Sequence, residues 1–222
     1  MDYSVLILLY STKKSTMTLI KSISGIRGTI GGKPHENLTP IDIVESTAAY
    51  GTWLTNSFKN EKIKIVIGRD ARISGEMVEN LCIGTLQSLG IDVINLGLST
   101  TPTVEIAVPM ENAHGGIILT ASHNPKEWNA LKLLNSKGEF ISAEDGQLLL
   151  NIIEKNDFEF CQVDNIGKVS QNNTYFTKHI EEILKIKKVD VNAIRKAKLK
   201  VVIDSVNSTG GMVLPQLLKT LG

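Results

Sequence analysis

The apolar positions of the chain fall into short runs and spaced stripes that alternate along its length. Residues 62–68 (KIKIVIG) form a β-branched run closed by Gly68, the pattern of a buried strand. Ser74 is placed to cap a helix that runs to Leu89. Met77, Leu81, Thr85 and Leu89 share one face of it at a spacing of four, and Gly90 supplies its stop. Residues 91–97 (IDVINLG) read as a second strand. Thr101-Pro102 reads as an N-cap followed by a first-turn proline, opening a helix of about ten residues. Residues 115–121 (GGIILTA) predict a third strand and residues 131–134 a short fourth one. A helix starts near Ser142, where Asp145 three residues on makes a variant capping box, and ends near Lys155. Residues 157–172 are polar and read as irregular. Residues 175–187 are helical again, with Ile180, Ile183 and Leu184 on one side. Strands alternating with helices predict an α/β fold with a mainly parallel sheet and right-handed crossovers. Such sheets gather functional groups at the carboxyl ends of their strands. That brings three loops to one edge: residues 69–74, 98–101 and 122–129.

An internal echo adds to this pattern. Residues 199–204 (LKVVID) resemble residues 63–68 (IKIVIG), and each run is followed by a glycine-containing loop and an amphipathic stretch ending in a Leu-Gly pair, Leu89-Gly90 and Leu221-Gly222. A lone strand-helix unit has no neighbours with which to bury its strand. The expectation is therefore a first unit over residues 17–189 and, from residue 190 to residue 222, the beginning of a second, truncated α/β domain; the alternative is that residues 190–222 pack on the first domain as an appendix. Residues 1–16 read as an N-terminal extension, with a more ordinary segment starting at Met17.

Composition narrows the classes. The chain has 222 residues, 42 % hydrophobic and 21 % charged, as in an ordinary soluble globular protein. Lys plus Arg is 24 and Asp plus Glu is 23, a net charge of +1. No global field draws the protein to nucleic acid or to an anionic membrane, so neither is an expected partner. Cys82 and Cys161 form no CxxC pair, so neither a zinc site nor a disulfide framework is indicated. The apolar run 5–9 (VLILL) is far short of the ~20 residues that span a bilayer and lacks the flanks of a signal peptide. The expected location is cytoplasmic.

The sharpest chemical feature is the segment 120–125 (TASHNP), a serine at the end of an apolar strand beside an imidazole and an amide, with Pro125 fixing the backbone after them. A serine hydroxyl is a weak nucleophile unless a base or a charge activates it. A serine that carries a phosphate is instead a phosphoryl donor, and needs cations and hydrogen-bond donors around it. The chain offers such groups: Arg27 between glycines in 24–28 (SGIRG), Arg69 and Arg72 directly after a strand in 68–72 (GRDAR), and Lys132 ten residues past the serine. Arg72 reads as structural or exposed rather than as a direct ligand. The Lys-rich stretch 185–200 reads as a solvated face, and Trp53 and Trp128 as packing residues.

These segments, with 100–104 (TTPTV) and the spacing Asn129-x-x-Lys132, resemble the α-D-phosphohexomutase superfamily of phosphoglucomutases, phosphomannomutases and phosphoglucosamine mutases. The resemblance covers residues 19–222. It implies a mixed, mainly parallel sheet sandwiched by helices, and a longer, four-domain enzyme that interconverts hexose 6-phosphates and hexose 1-phosphates through a bisphosphorylated sugar. It implies that Ser122 is the phosphoserine, that His123 and Asn124 shape its loop and meet the transferring phosphate, and that Arg27 and Lys132 handle protons and charge near the sugar hydroxyl. A guanidinium stays charged in proteins, so Lys132 or His123 is the preferred general base over Arg27. Arg69 would hold the loop or the phosphate, and Asn129 belongs to the same binding set. The resemblance further implies a Mg²⁺ ion, a glucose-1,6-bisphosphate-type activator and a phosphorylated hexose as partner. The ion is held in the family by a phosphoserine oxygen and three aspartates of a DGDxDR loop, which this sequence does not contain, so Ser122 is the one metal ligand present. Ala130 replaces the glycine usual in the family's NGxK pattern, and an added methyl group there would alter the loop angle. The chain alone is expected to turn over little substrate. The competing expectation is a non-catalytic phosphosugar-binding module that lacks the metal loop. Overall resemblance leans toward bacterial enzymes of phosphoglucosamine or phosphomannose.

Overall fold

A computed structural model describes residues 17–22 and 25–222. The expected N-terminal extension, residues 1–16, and Ser24 of the SGIRG segment lie outside the described residues. In chain order the elements are β1 (Ile20–Ser22), β2 (Gly25–Thr29), α1 (Pro40–Ser57), β3 (Lys64–Arg69), α2 (Gly75–Ser88), β4 (Asp92–Leu98), α3 (Thr101–Met110), β5 (Gly115–Leu119), β6 (Trp128–Leu134), α4 (Ala143–Lys155), β7 (Val169–Gln171), α5 (Tyr175–Lys185), α6 (Val191–Ala197) and α7 (Gly210–Leu221). A single 3-10 turn, Val163–Asn165, precedes β7.

The strands form one sheet in the order β1-β2-β6-β5-β3-β4-β7. β5, β3, β4 and β7 pair in parallel, whereas β6 is antiparallel to both β5 and β2, and β1 is antiparallel to β2. Of the seven described strands, β2, β3, β4, β5 and β7 therefore point the same way, which is the mainly parallel character expected. Helices cover both faces, which is why the central strands read as nearly continuous apolar runs. Ile65, Ile67, Ile117, Leu119, Leu131 and Leu133 pack with α1, α2 and α4 in one cluster. The alternate residues Val66, Ile118 and Leu134 pack with Val104 and Val108 of α3 and Tyr175 of α5 in another. Tyr50 of α1 ties the first layer to the sheet. It is fully buried and its hydroxyl donates to the carbonyls of Leu134 (2.6 Å) and Gly116 (3.1 Å).

Several elements differ from the pattern reading. The pattern reading assigns no helix to residues 40–57, because α1 has no clean apolar stripe, although Thr39, Pro40 and Asp42 mark its start as a capping box with a first-turn proline. Asp42, Ser46 and Thr47 are as fully buried as Ile43 and Leu54. In α2 the buried face is Val78, Cys82 and Leu86, one position on from the expected stripe, and Met77 is exposed. Glu79 joins the buried face because Arg69 pairs with it at 3.2 Å. The cap of α3 is Thr100 rather than Thr101, and β6 is seven residues long rather than four. The capping box of α4 stands as expected, Ser142 Oγ accepting from the Asp145 amide at 3.1 Å. Residues 157–172 contain β7, three exposed residues with no amphipathic signature. Backbone contacts seat β7: Gly167 lies so close to the Ile91 carbonyl that a Cβ there would come within 1.9 Å of the oxygen.

Residues 199–204 take no strand pairing, against the expectation of a strand. Leu199 is 69 % exposed and Val202 96 %. A strand needs neighbours to accept its backbone hydrogen bonds, and the described residues offer none here. α6 and α7 hold each other through the Arg195 guanidinium, which donates to the Thr220 carbonyl at 2.9 Å. No helix among the described residues is long and apolar enough to cross a membrane.

His179 of α5 is buried, and its Nδ1 meets the Thr103 hydroxyl of α3 at 2.9 Å. Burial lowers its pKa below the ordinary 6.5. The folded state thus binds fewer protons than the unfolded chain. The stability this contributes is present above the unfolded value of 6.5 and is lost as pH falls through and below it. Urea unfolding at pH 8 and pH 5 should show a larger acid loss in the wild type than in His179→Gln. Equal losses would mean that the imidazole does not enter the fold's pH dependence.

Candidate active site

The site is built on strand ends. β5 ends at Leu119, and the chain passes through Thr120 and Ala121 to Ser122, then turns through His123, Asn124 and Pro125 into β6. Ser122 holds a left-handed backbone, φ 57°, a conformation that costs a non-glycine residue about 1–2 kcal/mol. The surroundings hold it there. The Ser122 amide donates to Thr120 Oγ1 at 3.1 Å, and Thr120 Oγ1 donates to Asp70 Oδ2 at 2.6 Å.

The main restraint is Arg72. Its Nη1 donates to the carbonyls of Pro125 (2.8 Å) and Trp128 (2.9 Å), and its Nη2 to those of Ser122 (2.9 Å) and Asn124 (2.8 Å). Its Nε donates to Asp70 Oδ2 at 3.3 Å. The five N–H donors of a guanidinium are thereby all engaged. One side chain gathers four carbonyls of the serine loop and fixes the loop to the end of β3. Asp70 Oδ1 accepts the Arg72 amide at 3.0 Å, so the carboxylate orients the arginine it pairs with. The sequence reading assigned Arg72 no role in the site. The signal available to it was the Gly-Arg-Asp-x-Arg spacing, which returns an arginine to the loop two residues after an aspartate at a strand end.

Strand parity supplies the cations. Arg27 of β2 pairs with Ala130 of β6, and Lys132 of β6 pairs with Ile118 of β5. Ile26, Leu131 and Leu133 face the α1/α2/α4 layer, so Arg27 and Lys132 fall on the other face of the sheet. There Arg27, Lys132, Ser122, His123 and Asn124, together with Phe140, line a cavity of about 290 Å³. Lys132 Nζ lies 5.8 Å from the centre of the Phe140 ring. Glu105 of α3 lies within electrostatic reach of Lys132. Burial raises its pKa and the ammonium opposes that rise. Ala130 sits in regular strand, with no left-handed backbone that a glycine would be needed to supply.

Five of the expected site residues are thus brought together, and two are not. Arg69 turns away from the cavity, its Nε donating to Glu79 Oε2 at 3.2 Å and its Nη1 to the Asp70 carbonyl at 3.4 Å. Asn129 is fully buried. Its side-chain amide donates to Ser74 Oγ at 2.9 Å, and its carbonyl oxygen accepts the Ala130 amide at 2.8 Å. The Ser74 hydroxyl is therefore used to tie the start of β6 to α2 rather than to cap α2. Among the described residues no imidazole or carboxylate is hydrogen-bonded to the Ser122 hydroxyl, and the cavity it borders presents an arginine, a lysine and an imidazole, groups whose chemistry suits an anion.

The family model for phosphoglucomutase/phosphomannomutase, alpha/beta/alpha domain I, matches residues 19–160. A protein of Thermococcus kodakarensis named phosphoglucomutase/phosphomannomutase is 37 % identical over 197 residues, covering 88 % of this chain and 42 % of that protein. A protein of Methanosphaera stadtmanae named "Probable phosphoglucosamine mutase" is 33 % identical over 208 residues, covering 91 % of this chain and 44 % of that one. Both organisms are archaea, where the sequence resemblance leaned toward bacteria. The chain spans less than half the length of these relatives. In fold it is similar to a solved phosphoglucomutase/phosphomannomutase family protein of Burkholderia thailandensis, with a TM-score of 0.69 at 22 % identity over 94 % of this chain and 42 % of that one.

Arg72→Ala should release the serine loop. It removes five hydrogen bonds and leaves the Asp70 carboxylate, 15 % exposed, without its cation. The expected loss of stability is about 2–4 kcal/mol, with faster hydrogen exchange at residues 122–128. Arg72→Lys should recover little of it, because an ammonium cannot span four carbonyls. Unchanged exchange in the loop would refute the clamp.

Proposed function

The chain belongs to the phosphoglucomutase/phosphomannomutase family, and on that premise we propose that it is the serine-bearing part of a phosphohexomutase. The observation that carries the reading is the placement of Ser122. It stands exposed on a clamped loop, at the border of a cavity lined by Arg27, His123 and Lys132. In this reading residues 17–189 form the serine domain and residues 190–222 begin a second α/β domain. The exposed, unpaired apolar segment at 199–203 supports the latter.

The reaction has two half-steps. A phosphoryl group on Ser122 Oγ passes to a hydroxyl of a hexose monophosphate. The bond from phosphorus to the serine oxygen breaks, a bond from phosphorus to the sugar oxygen forms, and the hydroxyl proton leaves to Lys132 or His123. The bisphosphorylated sugar then turns around. Its other phosphate returns a phosphoryl group to Ser122, the vacated sugar oxygen takes a proton back, and the isomeric monophosphate departs. Little of this is covalent work for the protein, so in-line placement and charge neutralisation dominate. Arg27 stays charged and neutralises phosphate oxygens, and Asn124 adds an amide contact. The clamp keeps the serine oxygen from drifting between the half-steps. A phosphorylated hexose is the substrate class in this reading, and a glucose-1,6-bisphosphate-type compound primes the serine.

A Mg²⁺ ion, which the family reading also carries, would need more ligands than this chain brings to Ser122. Asp70 is the one carboxylate lining either cavity beside it, and its oxygens are engaged by Arg72 and Thr120. The described residues do not by themselves form a divalent-metal site there.

In the complete protein, Ser122→Ala should lower mutase turnover by at least about a thousandfold, the scale expected when a covalent carrier is removed. A coupled assay with glucose, mannose and glucosamine 1-phosphates reads this directly, and substantial residual turnover would remove Ser122 from the reaction. The 222-residue chain assayed alone should show very little turnover. Incubated with glucose 1,6-bisphosphate, a phosphoryl carrier gains one phosphoryl group at Ser122 in the intact mass, whereas a simple binding module does not.

A further inference from the structure

The lysine beside Ser122 keeps different company from the other lysines of the fold. Among the described residues Lys132 Nζ makes no hydrogen bond and no ion pair, whereas Lys62, Lys178 and Lys185 reach the carboxylates of Asp92, Glu111 and Glu182. Glu105 lies within its electrostatic reach, yet no ion pair closes between them. What the ammonium meets is a ring. Nζ stands 5.8 Å from the centre of Phe140, inside the range of a cation–π attraction, and both side chains line the cavity that Ser122 borders.

The ring is fixed from several directions. Leu134 of β6 bridges to Phe140 in antiparallel register, and the Ile141 amide donates to the Leu133 carbonyl at 3.1 Å. Bridged residues share a face, so Phe140 lies on the face of Leu134 and Lys132, diagonal to the lysine and within reach of its long side chain. The turn between the bridged residues is tied by Asn135. Its amide donates to the Glu139 carbonyl at 2.8 Å, and its Oδ1 accepts the amides of Lys137 (2.9 Å) and Glu139 (3.1 Å). Gly138, at φ 77°, presses the turn against α3: a Cβ there would lie 2.0 Å from the Glu105 carbonyl oxygen. The capping box at Ser142 holds the chain just beyond. Yet the ring is 43 % exposed, so core packing does not account for an aromatic side chain at this position.

We propose that Phe140 is a positioning residue for Lys132: its ring directs the ammonium within the cavity without engaging the N–H donors. A carboxylate in the same place would hold the lysine as firmly, but it would accept from those donors and offset the charge. A ring attracts the cation through its quadrupole and leaves the three N–H groups available to phosphate and sugar oxygens. That the directed ammonium takes part in phosphoryl transfer rests on the reading of Ser122 given above; the hold of the ring on the ammonium does not.

The hold is tested by NMR on the 222-residue chain. Carbon relaxation at the Lys132 ε-methylene should report a restricted side chain, and NOEs should join it to the Phe140 ring. Phe140→Leu keeps an apolar side chain without a π face and should free the methylene, whereas Phe140→Tyr should keep it restricted. Lys178, whose Nζ lies 4.3 Å from the centre of the Tyr175 ring, is a control that neither variant moves. The consequence is tested by turnover of the complete protein. Phe140→Leu should lower mutase kcat about tenfold with KM little changed, as expected when a charged group is misplaced rather than removed, and Phe140→Tyr should restore it. In a Lys132→Ala background Phe140→Leu should cause no further loss, since the ring acts through the lysine. A methylene equally mobile in the wild type and Phe140→Leu would overturn the proposal. So would a further loss on top of Lys132→Ala, which would mark a direct contact between the ring and the sugar. Failure of the mutase reading would show elsewhere, as turnover that survives Ser122→Ala while the ring still restrains the lysine.

Discussion

One guanidinium organises this protein's chemistry. The serine loop and the first residue of β6 present four carbonyls to one side chain, and the loop holds Ser122 in a backbone conformation that a serine does not choose. Arg72 answers both demands with a planar fork whose donors are fixed relative to one another. A flexible ammonium on the same stem would satisfy fewer acceptors and impose less geometry. Asp70 and Thr120 complete the arrangement, because they fix the arginine and the Ser122 amide to the same strand end. The cost of the left-handed serine is thus offset by contacts outside the loop.

The sheet explains why cations gather at this loop and not elsewhere. β5 leads up to the serine and β6 returns antiparallel to it, so the loop is a tight connection within one sheet rather than a crossover through a helix. β6 then lies inside the sheet, pairing with β5 on one side and β2 on the other. Lys132 and Arg27 come from strands whose alternate residues build the opposite core layer. An apolar core on one face leaves the other face free to present charge, and strand parity does the sorting. Arg69, one residue earlier than Asp70 and on the same strand end, falls on the α2 side and spends its charge on buried Glu79.

Ser122 borders two cavities of different lining. One presents the side chains of Arg27, His123 and Lys132. The other is lined mainly by hydroxyl-bearing residues and by the Asp70 carboxylate that Arg72 already holds. The clamp on the serine loop therefore sets how one side chain faces both.

Much of this was legible in the sequence. The runs at 62–68, 91–97 and 115–121 each hold a strand, Lys64–Arg69, Asp92–Leu98 and Gly115–Leu119, because their apolar residues face two covered surfaces, and periodicity records burial directly. The capping box at Ser142 was readable because its partners lie three residues apart. The grouping of Ser122, His123, Asn124, Arg27 and Lys132 followed from motif resemblance, and the geometry brings those five to one cavity. What the sequence could not convey are facts of distance and direction. α1 escaped the pattern reading because Asp42, Ser46 and Thr47 are as buried as its apolar residues, which erases the stripe. β7 was invisible because three exposed residues carry no pattern, and they are seated by close backbone approach and by the Gln87 and Asp92 side chains bonding the chain just before them. Arg72 and Arg69 differ by three positions and share one chemistry, yet the first holds the serine loop and the second holds Glu79. Sequence determines which charges exist and how apolar residues alternate. Only the folded chain decides which acceptor each charge reaches: Arg69 finds Glu79 ten residues on, across a strand end and a helix, whereas the carbonyls that Arg72 gathers lie fifty or more positions away.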